Sequence, residues 1–115
     1  MTATVHRPRP TVTHLDAAPP TSSFPSGHTG AAVALYVGLA VVLLQLTRRS
    51  AHRAVTVAAA TVLCVVPVVV ALSRVYRGMH FVTDVIAGAL AGGLWMAIVV
   101  GTVLGAARIG SQRRR

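Results

Sequence analysis

A chain of 115 residues offers one small domain, and with 54% hydrophobic and only 11% charged residues it is not composed like a soluble one. The net charge of +9 comes from eleven arginines against two aspartates, with no lysine. Because the arginines gather at the ends of apolar runs, the charge reads as membrane topology and argues against nucleic-acid binding. Cys64 stands alone, which leaves no partner for a disulfide and no thiolate cluster for a metal; it reads as a small apolar filler.

Residues 1–23 are polar and rich in Pro and Thr, without the apolar core of a signal peptide. A flexible segment is expected there, with His6 and His14 solvated and Arg7-Pro8-Arg9-Pro10 extended. Ser22-Ser23-Phe24-Pro25-Ser26-Gly27-His28-Thr29-Gly30 then runs into the first apolar stretch. Serines for capping and a proline in the first turn are helix-start chemistry. A helix start offers unpaired N–H groups and a positive dipole end to an anion. Gly27 leaves the backbone open to a ligand, Ser26 adds a hydroxyl donor, and His28 adds a titratable proton.

Three apolar stretches follow, at about residues 29–47, 54–72 and 82–107, none with an interior Asp, Glu or Arg. Each matches the roughly 20 helical residues needed to cross a hydrocarbon core of about 30 Å. They predict an all-α integral membrane bundle with helices at about 28–47, 54–73 and 81–107. The whole core would run over residues 24–107, with a basic tail at 108–115. Arg48, Arg49 and Arg53 mark the first turn, where His52 reads as solvated, and Pro67 should kink the second helix. In the third, Gly88/Gly92 and Gly101/Gly105 are small residues at four-residue spacing, a seam for close helix approach. Tyr36 and Trp95 read as packing residues.

Between the second and third runs lies Ser73-Arg74-Val75-Tyr76-Arg77-Gly78-Met79-His80-Phe81-Val82-Thr83-Asp84. His80 and Asp84 are four apart, on one face of a helix start. A carboxylate there can accept one ring proton and leave the other nitrogen aimed and basic. Arg74 brings a planar fork suited to phosphate oxygens. Three crossings place His28, Arg74, His80 and Asp84 on one membrane side, which carries four arginines against seven on the other. The positive-inside rule makes the first side extracytoplasmic, and a multi-pass plasma-membrane protein is expected.

Two histidines, an arginine and an aspartate on one face suit phosphoryl transfer. One imidazole attacks phosphorus, the second protonates the leaving oxygen, and guanidinium and backbone N–H groups stabilise the equatorial oxygens. No cluster of carboxylates could hold magnesium, so cofactor-free, metal-independent chemistry is expected. Zinc on His28 and His80 would be short of ligands with Asp84 engaged by His80.

Pro25-Ser26-Gly27-His28 and Ser73-Arg74, five residues, His80, three residues, Asp84 resemble the second and third motifs of the type 2 phosphatidic acid phosphatases, whose superfamily includes the vanadium haloperoxidases. The resemblance spans residue 9 to about 105 and implies half of a six-helix bundle. It implies a phosphohistidine on His80, orientation by Asp84, His28 as general acid, and phosphate held by Arg74, Ser26 and Gly27. The substrate would be a lipid phosphomonoester or diphosphate: phosphatidic acid, phosphatidylglycerol phosphate or polyprenyl diphosphate. Arg9-Pro10 fits the end of the first motif, a Lys followed by six residues and Arg-Pro, which makes Arg9 a further phosphate ligand. Counting back puts Thr2 where that lysine belongs, so the chain is expected to begin within the motif. Preceding helices, or a second copy of the chain, would then complete the bundle. A weak or inactive membrane relative and a vanadate-dependent haloperoxidase are the two alternatives.

Overall fold

Three helices carry the chain in the computed structural model, which describes residues 6–18 and 20–112: α1 (Gly27–Leu46), α2 (Arg53–Tyr76) and α3 (Val82–Gln112). The described residues include no strand. All three are long and apolar enough to cross a membrane. Only 17% of each apolar window is buried within the chain, and outward residues such as Leu35, Leu46, Leu72 and Leu90 are exposed. A surface of that kind suits hydrocarbon, where leucine costs nothing, and not water. The protein is an all-helical membrane protein. Of the basic tail expected at 108–115, residues 108–112 continue α3, and Arg113, Arg114 and Arg115 lie outside the described residues, as does Thr2.

α1 packs against both other helices, whereas α2 and α3 touch each other little. The α1–α3 crossing depends on glycine. A Cβ on Gly88 would run into the Ser26 carbonyl oxygen, and one on Gly92 into that of Gly30. Without side chains the backbones approach closely enough for the Ser26 N–H to donate to the Asp84 carbonyl at 2.9 Å. Gly101 and Gly105 differ from this expectation, with open space where a Cβ would stand. The seam therefore occupies only the end of α3 that meets the α1 start. Within α1, residues Val33–Val37 form a π turn, and Pro67 lies buried in a continuous α2.

α2 ends in a Schellman arrangement. The Gly78 N–H donates to the Val75 carbonyl and the Met79 N–H to that of Arg74, with Gly78 at φ +69°. Only glycine adopts that left-handed geometry without strain. The reversal carries the chain from Arg74, in the last turn of α2, to His80 just before α3.

Candidate active site

The starts of α1 and α3 and the end of α2 meet at one end of the molecule, around a cavity of about 440 Å³. Arg9, Gly27, His28, Arg74 and His80 all line it, together with Asp16, Thr21 and Met79. Five of the seven site residues expected from sequence thus share one space. The other two, Ser26 and Asp84, are fully buried and do not line it.

Ser26 is the N-cap of α1. Its Oγ lies 3.0 Å from Thr29 Oγ1 and accepts from the Thr29 N–H at 3.5 Å. The hydroxyl is thus engaged inside the turn and does not project at the cavity. Gly27 and His28, the next two residues, have backbone N–H groups without acceptors in their own helix. Both residues are exposed and line the cavity.

Asp84 is tied down by two partners. One oxygen accepts the Phe81 N–H at 2.9 Å, closing the first turn of α3 as the acidic member of a capping box does. The other receives Arg7 Nη1 at 2.7 Å. His80 Nδ1 is 3.9 Å from the carboxylate but 2.7 Å from the Ser23 carbonyl oxygen. The ring proton expected on Asp84 is therefore donated to Ser23. A carbonyl only accepts, so Nδ1 carries the proton and Nε2 of the neutral ring keeps its lone pair. The His80 pKa is lowered from the ordinary imidazole value, chiefly by burial; Ser23 opposes this, Arg9 adds to it, Asp84 opposes it and His28 adds a little.

The guanidiniums supply the positive charge. Arg9 donates to the Met79 carbonyl at 2.8 Å and to Thr21 Oγ1 at 3.3 Å, yet its buried Nε–H has no acceptor. The buried Nε–H of Arg74 has none either. Orphaned buried donors are costly, and two beside one cavity point to an anion there. Among the described residues, no group of three His, Cys, Asp or Glu side chains could hold a metal ion.

Sequence reasoning missed four contributors. Arg7 read as part of a linker, although it pairs with Asp84. Ser23 acts through a carbonyl, which leaves no mark on residue identity. Asp16 meets Arg77 Nη1 at 2.5 Å on the cavity rim, and the Arg77 guanidinium holds its carboxyl below the usual range. Gly78 had a signal, a glycine just past an apolar run. Within the segment expected to be flexible, the Ser23 N–H donates to the Arg7 carbonyl at 3.0 Å, and Arg9 reaches the Met79 carbonyl. His14, expected to be solvated, donates from Nε2 to the Pro10 carbonyl at 2.9 Å.

The family model of the PAP2 superfamily matches residues 1–108. Phosphatidylglycerophosphatase B of Bacillus subtilis (strain 168) is 41% identical over 80 residues, covering 69% of this chain and 38% of that protein. The crystal structure of a transmembrane PAP2-type phosphatidylglycerolphosphate phosphatase from Bacillus subtilis is similar at a TM-score of 0.70 and 37% identity. That similarity covers 86% of this chain and 48% of the other. The chain spans less than half the length of either relative.

Proposed function

This chain belongs to the PAP2 superfamily, and we propose that it is a membrane lipid phosphatase acting through a phosphohistidine at the extracytoplasmic face of the plasma membrane. The substrate is a lipid phosphomonoester or diphosphate, and the relatives named for phosphatidylglycerol phosphate favour that lipid over phosphatidic acid or polyprenyl diphosphate. The observation that carries this reading is the pair of acceptor-free Nε–H groups of Arg9 and Arg74 beside His28, His80 and the α1 start. Apolar spans and lipid-phosphatase relatives favour it over vanadate-dependent halide oxidation.

In the first step His80 Nε2 attacks phosphorus while the P–O bond to the lipid breaks. His28 gives its proton to the departing lipid oxygen. Arg9, Arg74 and the N–H groups of Gly27 and His28 hold the equatorial oxygens as charge develops. In the second step His28 takes a proton from water, whose oxygen attacks the phosphohistidine and releases inorganic phosphate. Ser23 holds the ring of His80 throughout. Asp84 fixes the helix start beneath it, and Ser26 secures the N–H groups of α1.

The test is release of inorganic phosphate by the full chain in detergent micelles from phosphatidylglycerol phosphate, phosphatidic acid and polyprenyl diphosphate. Turnover that His80→Ala reduces by roughly a thousandfold or more is expected. No release from any of the three, or turnover that His80→Ala leaves intact, overturns the reading. A parallel assay for vanadate-dependent halide oxidation should be blank.

A further inference from the structure

Arg7 does more around His80 than any contact in the proposed reaction requires. Its Nη1 reaches Asp84 Oδ1 at 2.7 Å and Thr83 Oγ1 at 2.6 Å, and its guanidinium lies 4.4 Å from the centre of the Phe81 ring. Its backbone holds the segment that supplies the other acceptor at His80 Nδ1. The Arg7 N–H donates to Ser22 Oγ at 3.2 Å, and its carbonyl accepts the Ser23 N–H at 3.0 Å. The carbonyl of that same Ser23 accepts the His80 ring proton. One residue therefore holds both groups that compete for His80 Nδ1: the Ser23 carbonyl, which has it, and the Asp84 carboxylate, 3.9 Å away.

Resting on the phosphatase reading above, we propose that Arg7 is a positioning residue for His80. By neutralising Asp84 and fixing Ser23, it keeps the Nδ1–H of His80 donated to a neutral carbonyl and leaves Nε2 free as the nucleophile. Arg7 does not line the cavity and touches no reacting atom. The charge logic is direct. Asp84 is fully buried, and a buried carboxylate without its cation is poorly tolerated. Its remedy is the nearest titratable proton acceptor, the imidazole, which it would draw into the charged form. An imidazolium cannot attack phosphorus. The other groups facing His80 are Arg9 and Asp16 from the N-terminal segment, His28 from α1 and Arg74 from α2. Asp16 is already matched by Arg77. None of the remaining cations reaches Asp84, since among the described residues its ion pairs are with Arg7 and His80.

The experiment is a ring titration of His80 by NMR on the full chain, ¹⁵N-labelled at histidine, in micelles, with His80→Gln identifying the resonance. Arg7→Gln should raise the His80 midpoint by about one pH unit. Arg7→Lys should restore most of the wild-type midpoint by keeping the charge, and Arg7→Gln combined with Asp84→Asn should reverse the rise. Arg7 is 35% exposed, so a neutral side chain leaves a wet slot and not a buried hole. Arg7→Met repeats the test with a different shape. A midpoint unmoved in the two neutral variants overturns the proposal, as does a rise that the added Asp84→Asn fails to reverse. This readout needs no turnover, so inactivity of the wild-type chain would overturn the phosphatase reading while the titration still decides the role of Arg7. With turnover, the acid limb of kcat/KM should move upward with the ring midpoint.

Discussion

His80 Nδ1 and the Ser23 carbonyl oxygen lie 2.7 Å apart across 57 residues of chain. The contact joins the start of α3 to the segment that precedes α1, and it sets the ring tautomer, with the proton on Nδ1. The His80 ring is thus oriented by a neutral backbone acceptor, while the nearby carboxylate is matched by an arginine.

A first prediction concerns pH. The folded protein holds the His80 proton less tightly than the unfolded chain, whose imidazole has the ordinary value of 6.5. The unfolded state therefore binds more protons as pH falls through that value. Stability from this group is complete above pH 6.5 and declines below it, towards the lower folded value. Thermal unfolding in micelles between pH 8 and pH 5 should show the midpoint falling only on the acid side. His80→Gln should flatten that decline. Phosphate release should rise with pH through a midpoint below 6.5.

Arg74 should separate charge from geometry. Its Nε–H is buried and without an acceptor, and on the proposed reading a phosphate oxygen would satisfy both the charge and the fork. Arg74→Ala should lower kcat/KM by roughly 10²–10³-fold. Arg74→Lys should recover little, because an ammonium cannot reproduce a planar fork. Full rescue by lysine in the phosphate-release assay would contradict the assignment.

Ser26 should behave as a cap. With its hydroxyl buried against Thr29, Ser26→Ala should cost about 1 kcal/mol of stability, seen as a lower denaturation midpoint. Its kcat/KM should stay within a few-fold of wild type. A hundredfold loss of kcat/KM without loss of stability would instead make the hydroxyl a direct phosphate donor.

The two glycine pairs of α3 should respond differently. Gly88→Ala must push α3 away from the Ser26 backbone, at a cost of about 1–3 kcal/mol. Gly101→Ala meets open space and should be neutral or slightly stabilising. Equal unfolding midpoints for the two variants would mean that the α1–α3 crossing is looser than described.

Three membrane helices were legible in the chain because apolar length is a local quantity, set by about 20 residues against the hydrocarbon thickness. The grouping of Gly27, His28, Arg74 and His80 was legible for a related reason: each stands at or near a helix end, and alternate crossings return such ends to one side, whereas Arg9 was reached only through the resemblance of Arg9-Pro10 to a family motif. Partners were not. Residue identities cannot say which of two acceptors, a carbonyl or a carboxylate, will reach one nitrogen when the difference is 2.7 Å against 3.9 Å. That choice was made by packing. The bare backbones of Gly88 and Gly92 let α1 and α3 meet, and the turn at Gly78 aims His80 across the segment that carries Arg7 and Ser23. The run of apolar residues along the chain determined that the protein lies in a membrane and that the ends of its helices return to one side. Tertiary contact alone decided which side chains and carbonyls pair with one another, because hydrogen bonds over 57 residues are fixed by distances that no local pattern encodes.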